Sequence, residues 1–168
     1  LDIPMRSLDY TPPMDARGKI SDSQPKRGEA DAFLRMIQSE LKPLLQQQYR
    51  LQADKSTLIG HSYGGVLALY ALMQHPNDFS HYVISSPSMW WNEGALQTLP
   101  DSYLQPLLKN KHDKFVRISV GEYEQTASPY VDANGERAKI LAEKQMVNKV
   151  DAMAKRLQAL PNKHLRVE

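Results

Sequence analysis

The chain has 168 residues with 21 Lys+Arg against 19 Asp+Glu, a formal net charge of +2, so its charge balance points neither to nucleic acid nor to a membrane surface. At 41% hydrophobic and 24% charged residues it has the make-up of a globular chain, and its length suits one domain with a sizeable core. With no cysteine, a disulfide framework, a thiolate nucleophile and a Cys-based zinc site are excluded; the compartment, cytoplasmic or periplasmic, stays open.

No apolar run approaches the roughly 18 residues of a membrane span, and no signal-peptide pattern is visible. Residues 6–13 read as an extended segment or strand end, closed by Pro12-Pro13. Residues 14–29 are polar, with Gly18, Pro25, Gly28 and the basic Arg17, Lys19, Lys26 and Arg27. They read as a long surface loop, either a linker or a substrate-facing loop. Residues 30–48 place Phe33, Leu34, Ile37, Leu41, Leu44 and Leu45 on one stripe of a helix, with a kink expected at Pro43.

Next come a short strand at 55–59, a buried helix at 66–74 stopped by His75-Pro76, and strands at 81–85 and 115–120. Residues 136–160 predict one long helix with Met146, Val150, Met153, Leu157 and Leu160 on its core face. A methionine stripe of this kind is core packing rather than a cofactor box. Residues 164–168 start a strand at the very end of the chain. That ending, and a first residue that is Leu1, imply native sequence missing at both ends. The alternation of strands and helices predicts an α/β fold, a mostly parallel sheet with helices on both faces.

The chemistry concentrates at Gly60-His61-Ser62-Tyr63-Gly64, a G-x-S-x-G run between a predicted strand and a predicted helix. A serine nucleophile gains exposure on a very tight strand-to-helix turn, in a strained backbone conformation. Small residues at 60 and 64 are expected, to let strand and helix pass closely. Ser62 is therefore the predicted nucleophile, with positive φ, and the Tyr63 N–H at the helix start is the predicted oxyanion donor. The alternative is a glycine-rich connection without chemistry.

With these residues in view, the chain resembles the esterase D-like Putative esterase family, and within it the bacterial siderophore trilactone esterases. The resemblance runs through 6–12, 30–45, the elbow at 60–65, Ser85-Ser86-Pro87-Ser88-Met89-Trp90-Trp91, and Val120-Gly121-Glu122-Tyr123-Glu124. It implies a partial α/β-hydrolase fold, a single incomplete domain over 1–168 with its terminal parts missing. It also implies earlier strands carrying the second oxyanion donor, and a catalytic histidine in a loop after the last strand, both outside this chain.

None of His61, His75, His81, His112 and His164 occupies the position of a catalytic base, and no pair has metal-ligand spacing. No imidazole is expected within roughly 2.6–3.2 Å of Ser62 Oγ. Glu124, after the strand at 115–120, is the candidate acid and Glu122 the runner-up; such esterases also work as Ser-His dyads, so the acid is open. His61, Trp90 and Trp91 are candidate pocket residues, against a plain packing role for each. The expected activity is hydrolysis of a carboxylic ester through an acyl-enzyme on Ser62, the ester being a small molecule such as a catecholate siderophore lactone. No metal or other cofactor is expected. An acyltransferase and a non-catalytic binding module of the same fold are the alternatives, and nothing in the sequence sets an oligomeric state.

Overall fold

The computed structural model describes residues 3–14, 28–52, 54–130 and 132–168. The predicted loop at 14–29, with Arg17, Lys19, Lys26 and Arg27, lies outside the described residues except at its ends. In place of the extended segment expected at 6–13 stands a helix, α1 (Ile3–Asp9). Pro4 sits in its first turn, where a missing N–H costs nothing. The Thr11 hydroxyl donates back to the Ser7 carbonyl at 2.7 Å as the helix ends.

The helix expected at 30–48 forms as α2 (Ala30–Met36), a π turn (Ile37–Leu41) and α3 (Lys42–Gln48). Pro43, in the first turn of α3, cannot donate to the carbonyl one turn back and its ring would crowd it. The wide turn just before it accommodates that misfit, a common cause of such bulges. The predicted stripe is buried only at its start. Leu34 is fully buried, whereas Leu41 and Leu44 are exposed.

The sheet has four parallel strands in the order of the chain: β1 (Thr57–His61), β2 (His81–Ser85), β3 (Lys114–Ser119) and β4 (Leu165–Val167). Register pairs Thr57 with His81, His81 with Phe115, and Phe115 with Arg166. α4 (Tyr63–Gln74) crosses from β1 to β2, and residues 65–73 of it are all buried. Between β2 and β3 lie two 3-10 turns (Trp91–Gln97 and Asp101–Leu104) and α5 (Gln105–Lys109).

Between β3 and β4 the long helix expected at 136–160 is broken. α6 (Glu136–Lys144) and α7 (Met146–Gln158) meet at Gln145, whose φ of 51° is left-handed. No glycine or proline marks this break. Its effect is to free α7 from the direction of α6. Met146, Val150, Met153 and Leu157 then bury against the sheet, while α6 has no buried residue.

Strand alternation separates the two faces of the sheet. Gly60, Tyr82, Ile84 and Val116 face the helices and are buried. On the opposite face Ile59 is 71% and Phe115 37% exposed, and the ring of Phe115 stacks on His81. Among the described residues the helices pack on the face of Gly60, Tyr82, Ile84 and Val116, which β4 continues with Leu165 and Val167. Because each crossover steps to the next strand in order, a common right-handed sense sends all of them to one side.

Candidate active site

Parallel strands bring their carboxyl ends to one edge, the edge where α/β sheets hold ligands. Here that edge carries Ser62 after β1, the 86–91 loop after β2 and the 121–125 turn after β3. Ser62 has φ 58° and ψ −120° at the junction of β1 and α4, as the sequence predicted, and it is half-buried. This is a conformation that non-glycine residues hold only when their surroundings impose it, at about 1–3 kcal/mol. The surroundings here are two backbone bonds. Ser62 N donates to the Ser85 carbonyl at 3.2 Å, and Ser88 N donates to the Ser62 carbonyl at 3.2 Å.

The close approach rests on glycines, though not on both that the sequence suggested. A Cβ on Gly60 would lie 1.9 Å from the Gly64 carbonyl oxygen, and one on Gly65 would lie 2.9 Å from Pro87 Cα. A Cβ on Gly64 would meet nothing within 4 Å. The tight contacts are therefore at 60 and 65, and the expectation of a steric need at 64 is corrected.

Tyr63 is the first residue of α4, so its N–H has no intrahelical acceptor and is left to point beyond the helix end. Its ring lies 6.0 Å from that of Trp90. Arg6 sits over the Tyr63 ring at 5.7 Å, and Lys144 over the Trp90 ring at 4.4 Å. Two cations thus flank a pair of aromatic rings beside the elbow. Trp90 and Trp91 are both partly buried against the core, and Trp91 N donates to the Ser88 carbonyl at 2.9 Å.

Glu124 Oε1 accepts from the Ser86 hydroxyl and, at 3.0 Å, from Gly121 N. It ties the end of β3 to the end of β2 beside the elbow, while Glu122 is exposed. Ser86 has φ 43°, and its N–H donates to the Ser119 carbonyl at 2.7 Å. Ser88, which the sequence did not single out, is 3% exposed with its hydroxyl 3.1 Å from Ser62 Oγ.

The histidines lie elsewhere. His75, at the end of α4, bonds Asp31 Oδ1 at 2.9 Å, and Asp31 also accepts from Tyr70 Oη at 2.6 Å. The bond to Asp31 pushes His75 up, and the same bond holds Asp31 below the usual carboxylate range. His81 is bonded to the Ser80 hydroxyl and His164 to Asp113, both at strand starts. With His112 they line a cavity of about 680 Å³ at the opposite end of the sheet from Ser62. His61 ends β1 on the helix-free face, exposed, with no side-chain hydrogen bond among the described residues. Among the described residues the Ser62 hydroxyl is bonded to Ser88 and to no imidazole. No cluster of His, Cys, Asp and Glu there could hold a metal ion.

A parallel sheet with a strained serine between strand and helix, at its carboxyl edge, is the framework of the α/β-hydrolase fold. The chain matches the Putative esterase family over residues 5–160, and it belongs to that family. It is 30% identical over 147 residues to Ferri-bacillibactin esterase BesA of Bacillus subtilis (strain 168), covering 82% of this chain and 50% of that protein. It is 35% identical over 131 residues to the siderophore enterobactin esterase of Emericella nidulans, covering 73% and 43%.

Among solved structures, the BES protein from Bacillus cereus superposes with a TM-score of 0.74 at 29% identity, over 100% of this chain and 55% of the other. The siderophore hydrolase EstA from Aspergillus nidulans gives 0.78 at 28%, over 98% and 58%. The chain spans about half the length of these relatives.

Proposed function

We propose that the protein is a serine esterase whose nucleophile is Ser62. The observation that carries this reading is the backbone of Ser62, held at φ 58° and ψ −120° between β1 and α4. Such strain needs an imposed frame, and its benefit is a hydroxyl lifted clear of the sheet at a helix start. In this reading Ser62 Oγ attacks the ester carbonyl while a general base takes its proton. The Tyr63 N–H donates to the oxyanion, the alcohol leaves as an acyl-enzyme forms, and water then releases the acid.

In this reading the base is none of the five histidines of this chain: His75, His81 and His164 are bonded to other side chains, and among the described residues the Ser62 hydroxyl meets no imidazole. We assign the base to the half of the relatives' length that this chain does not span. Glu124 is the acid of the reading. Its carboxylate is fixed at the end of β3, the position that the order Ser, acid, His requires.

For the substrate, the names of the relatives suggest a siderophore ester, and the surroundings of Ser62 suit one. Arg6 and Lys144 put two cations on the aromatic pair Tyr63 and Trp90. That combination favours an aromatic ester of anionic character such as a catecholate lactone.

The test is Ser62→Ala in the full-length protein, which abolishes hydrolysis of short p-nitrophenyl esters and labelling by a fluorophosphonate while thermal unfolding is unchanged. Turnover retained by that variant refutes the assignment. Arg6→Ala with Lys144→Ala should raise KM for a catecholate lactone and leave p-nitrophenyl acetate hydrolysis unchanged; equal effects on both substrates refute the cationic pocket.

A further inference from the structure

The geometry points to Ser88 as a second hydroxyl in the nucleophilic step, one that positions Ser62 Oγ and donates a hydrogen bond to it as its proton leaves. This rests on Ser62 being the nucleophile.

The two oxygens lie 3.1 Å apart, and Ser88 is 3% exposed. A buried hydroxyl has to be hydrogen-bonded. Among the described residues the partner of Ser88 Oγ is Ser62 Oγ. The pair is also held by backbone on both sides. Ser88 N is bonded to the Ser62 carbonyl and Ser62 N to the Ser85 carbonyl, while Ser86 N is bonded to the Ser119 carbonyl of the next strand. Pro87 is packed against Gly65, where a Cβ would not fit. The distance between the hydroxyls is therefore set by the frame that strains Ser62, and not by a loose side chain.

Between two hydroxyls either can donate at rest. If Ser62 donates to Ser88, its proton faces away from a base. If Ser88 donates, the Ser62 proton is free to be taken. During attack the choice disappears. The bond from Ser62 Oγ to the carbonyl carbon forms, the carbonyl π pair moves to its oxygen, and the Ser62 proton passes to the general base. Collapse then expels the alcohol, which receives that proton. Ser88 keeps its own proton throughout and can only donate to Oγ, which gains negative charge to the extent that proton loss runs ahead of bond formation to carbon. A hydrogen bond to a charged oxygen is stronger than one between neutral hydroxyls. The contact is therefore worth more in the transition state than at rest, which is the condition for raising kcat.

The experiment uses the full-length protein and p-nitrophenyl butyrate, with rates expressed per folded molecule from thermal unfolding. Ser88→Ala removes the donor. Ser88→Cys fills nearly the same volume with a weak one, and so remains informative where the alanine variant folds poorly. Both should lower kcat about 10- to 100-fold, with KM changed less than about twofold. The rate of fluorophosphonate labelling at Ser62 should fall in parallel, because it reports the nucleophile without the later steps.

A kcat per folded molecule within about twofold of wild type in either variant overturns the proposal, as does a loss confined to KM. Ser62→Ala, run alongside, separates the two readings. Turnover retained there removes the nucleophile itself. An inactive Ser62→Ala beside fully active Ser88 variants leaves Ser62 standing and removes Ser88.

Discussion

Gly60 offers a direct measure of how tightly β1 and α4 pass at the elbow. An alanine Cβ there would stand 1.9 Å from the Gly64 carbonyl oxygen and 2.3 Å from its carbon, where real Cβ contacts stay above 3.0 Å. Both obstacles are backbone, so no side chain can rotate away, and strand and helix must separate by about 1.1 Å. Overpacking of this kind costs about 1–3 kcal/mol, occasionally more. At roughly 2–4 °C per kcal/mol for a chain of this size, Gly60→Ala should lower Tm by about 2–12 °C. The same displacement moves Ser62, the proposed nucleophile, and a misplacement of about 1 Å costs on the order of 10²-fold in rate.

Gly64→Ala, in the first turn of α4, is the matched control. Its Cβ meets nothing within 4 Å, and alanine is favoured over glycine in a helix by roughly 0.5–1 kcal/mol. Its Tm should stay level or rise by about 1–4 °C. Thermal unfolding and ester hydrolysis of the two full-length variants read both quantities. Equal destabilisation by the two substitutions, or an unshifted Tm for Gly60→Ala, would refute the steric account.

Two further perturbations follow from the fold. Gln145 holds a left-handed φ of 51° between α6 and α7, a conformation that costs a side chain about 1–2 kcal/mol. Gln145→Gly should therefore raise Tm by about 2–8 °C, and a fall would show that the Gln145 side chain has a role of its own. The Asp31–His75 tie between α2 and α4 should depend on pH from both sides. Asp31 is depressed, so its contribution is present above its unfolded value and lost as pH falls through its folded one. His75 is raised, so its contribution is present below its unfolded value and lost as pH rises through its folded one. The Tm difference between wild type and Asp31→Asn should peak at mildly acidic pH, roughly 4–6.5 between the two unfolded values, and shrink on either side. A difference independent of pH would count against this pairing.

What was legible in the sequence had local causes. The strands expected at 55–59, 81–85 and 115–120 announce themselves as short apolar runs bounded by turns and form at 57–61, 81–85 and 114–119, and the glycines around Ser62 set its conformation within a few residues. The break at Gln145 was hidden, because a left-handed residue with a flexible polar side chain leaves no mark in composition. What selects it is the packing of Met146, Val150, Met153 and Leu157 on the sheet, a tertiary cause. In α1 the Pro12-Pro13 pair marks only the end of the segment, while the helix-starting proline is Pro4, in its first turn. At the site, the Ser-Pro-Ser run was visible but the contact of Ser88 with Ser62 was not. Which of its serines meets Ser62 depends on the register of β1 against β2, and Arg6 and Lys144 reach the elbow from opposite ends of the chain.

The order β1-β2-β3-β4 has a consequence for how the molecule comes together in time. Thr57 pairs with His81, His81 with Phe115, and Lys114 with Leu165, so each closure spans a longer stretch of chain than the one before. The entropy lost in closing a loop grows with its length, by about 0.6 kcal/mol per doubling. The unit of β1, α4 and β2 is the cheapest to close, and α4 supplies the most buried helix of the sheet. Strands added in the order of synthesis then dock on an edge that already exists, with no need to insert between formed neighbours. Pulsed hydrogen exchange during refolding should protect the amides of β1 and β2 ahead of those of β4. The strained turn at Ser62 lies inside the unit of β1, α4 and β2, so on this reasoning it is shaped before β3 and β4 are laid against that unit.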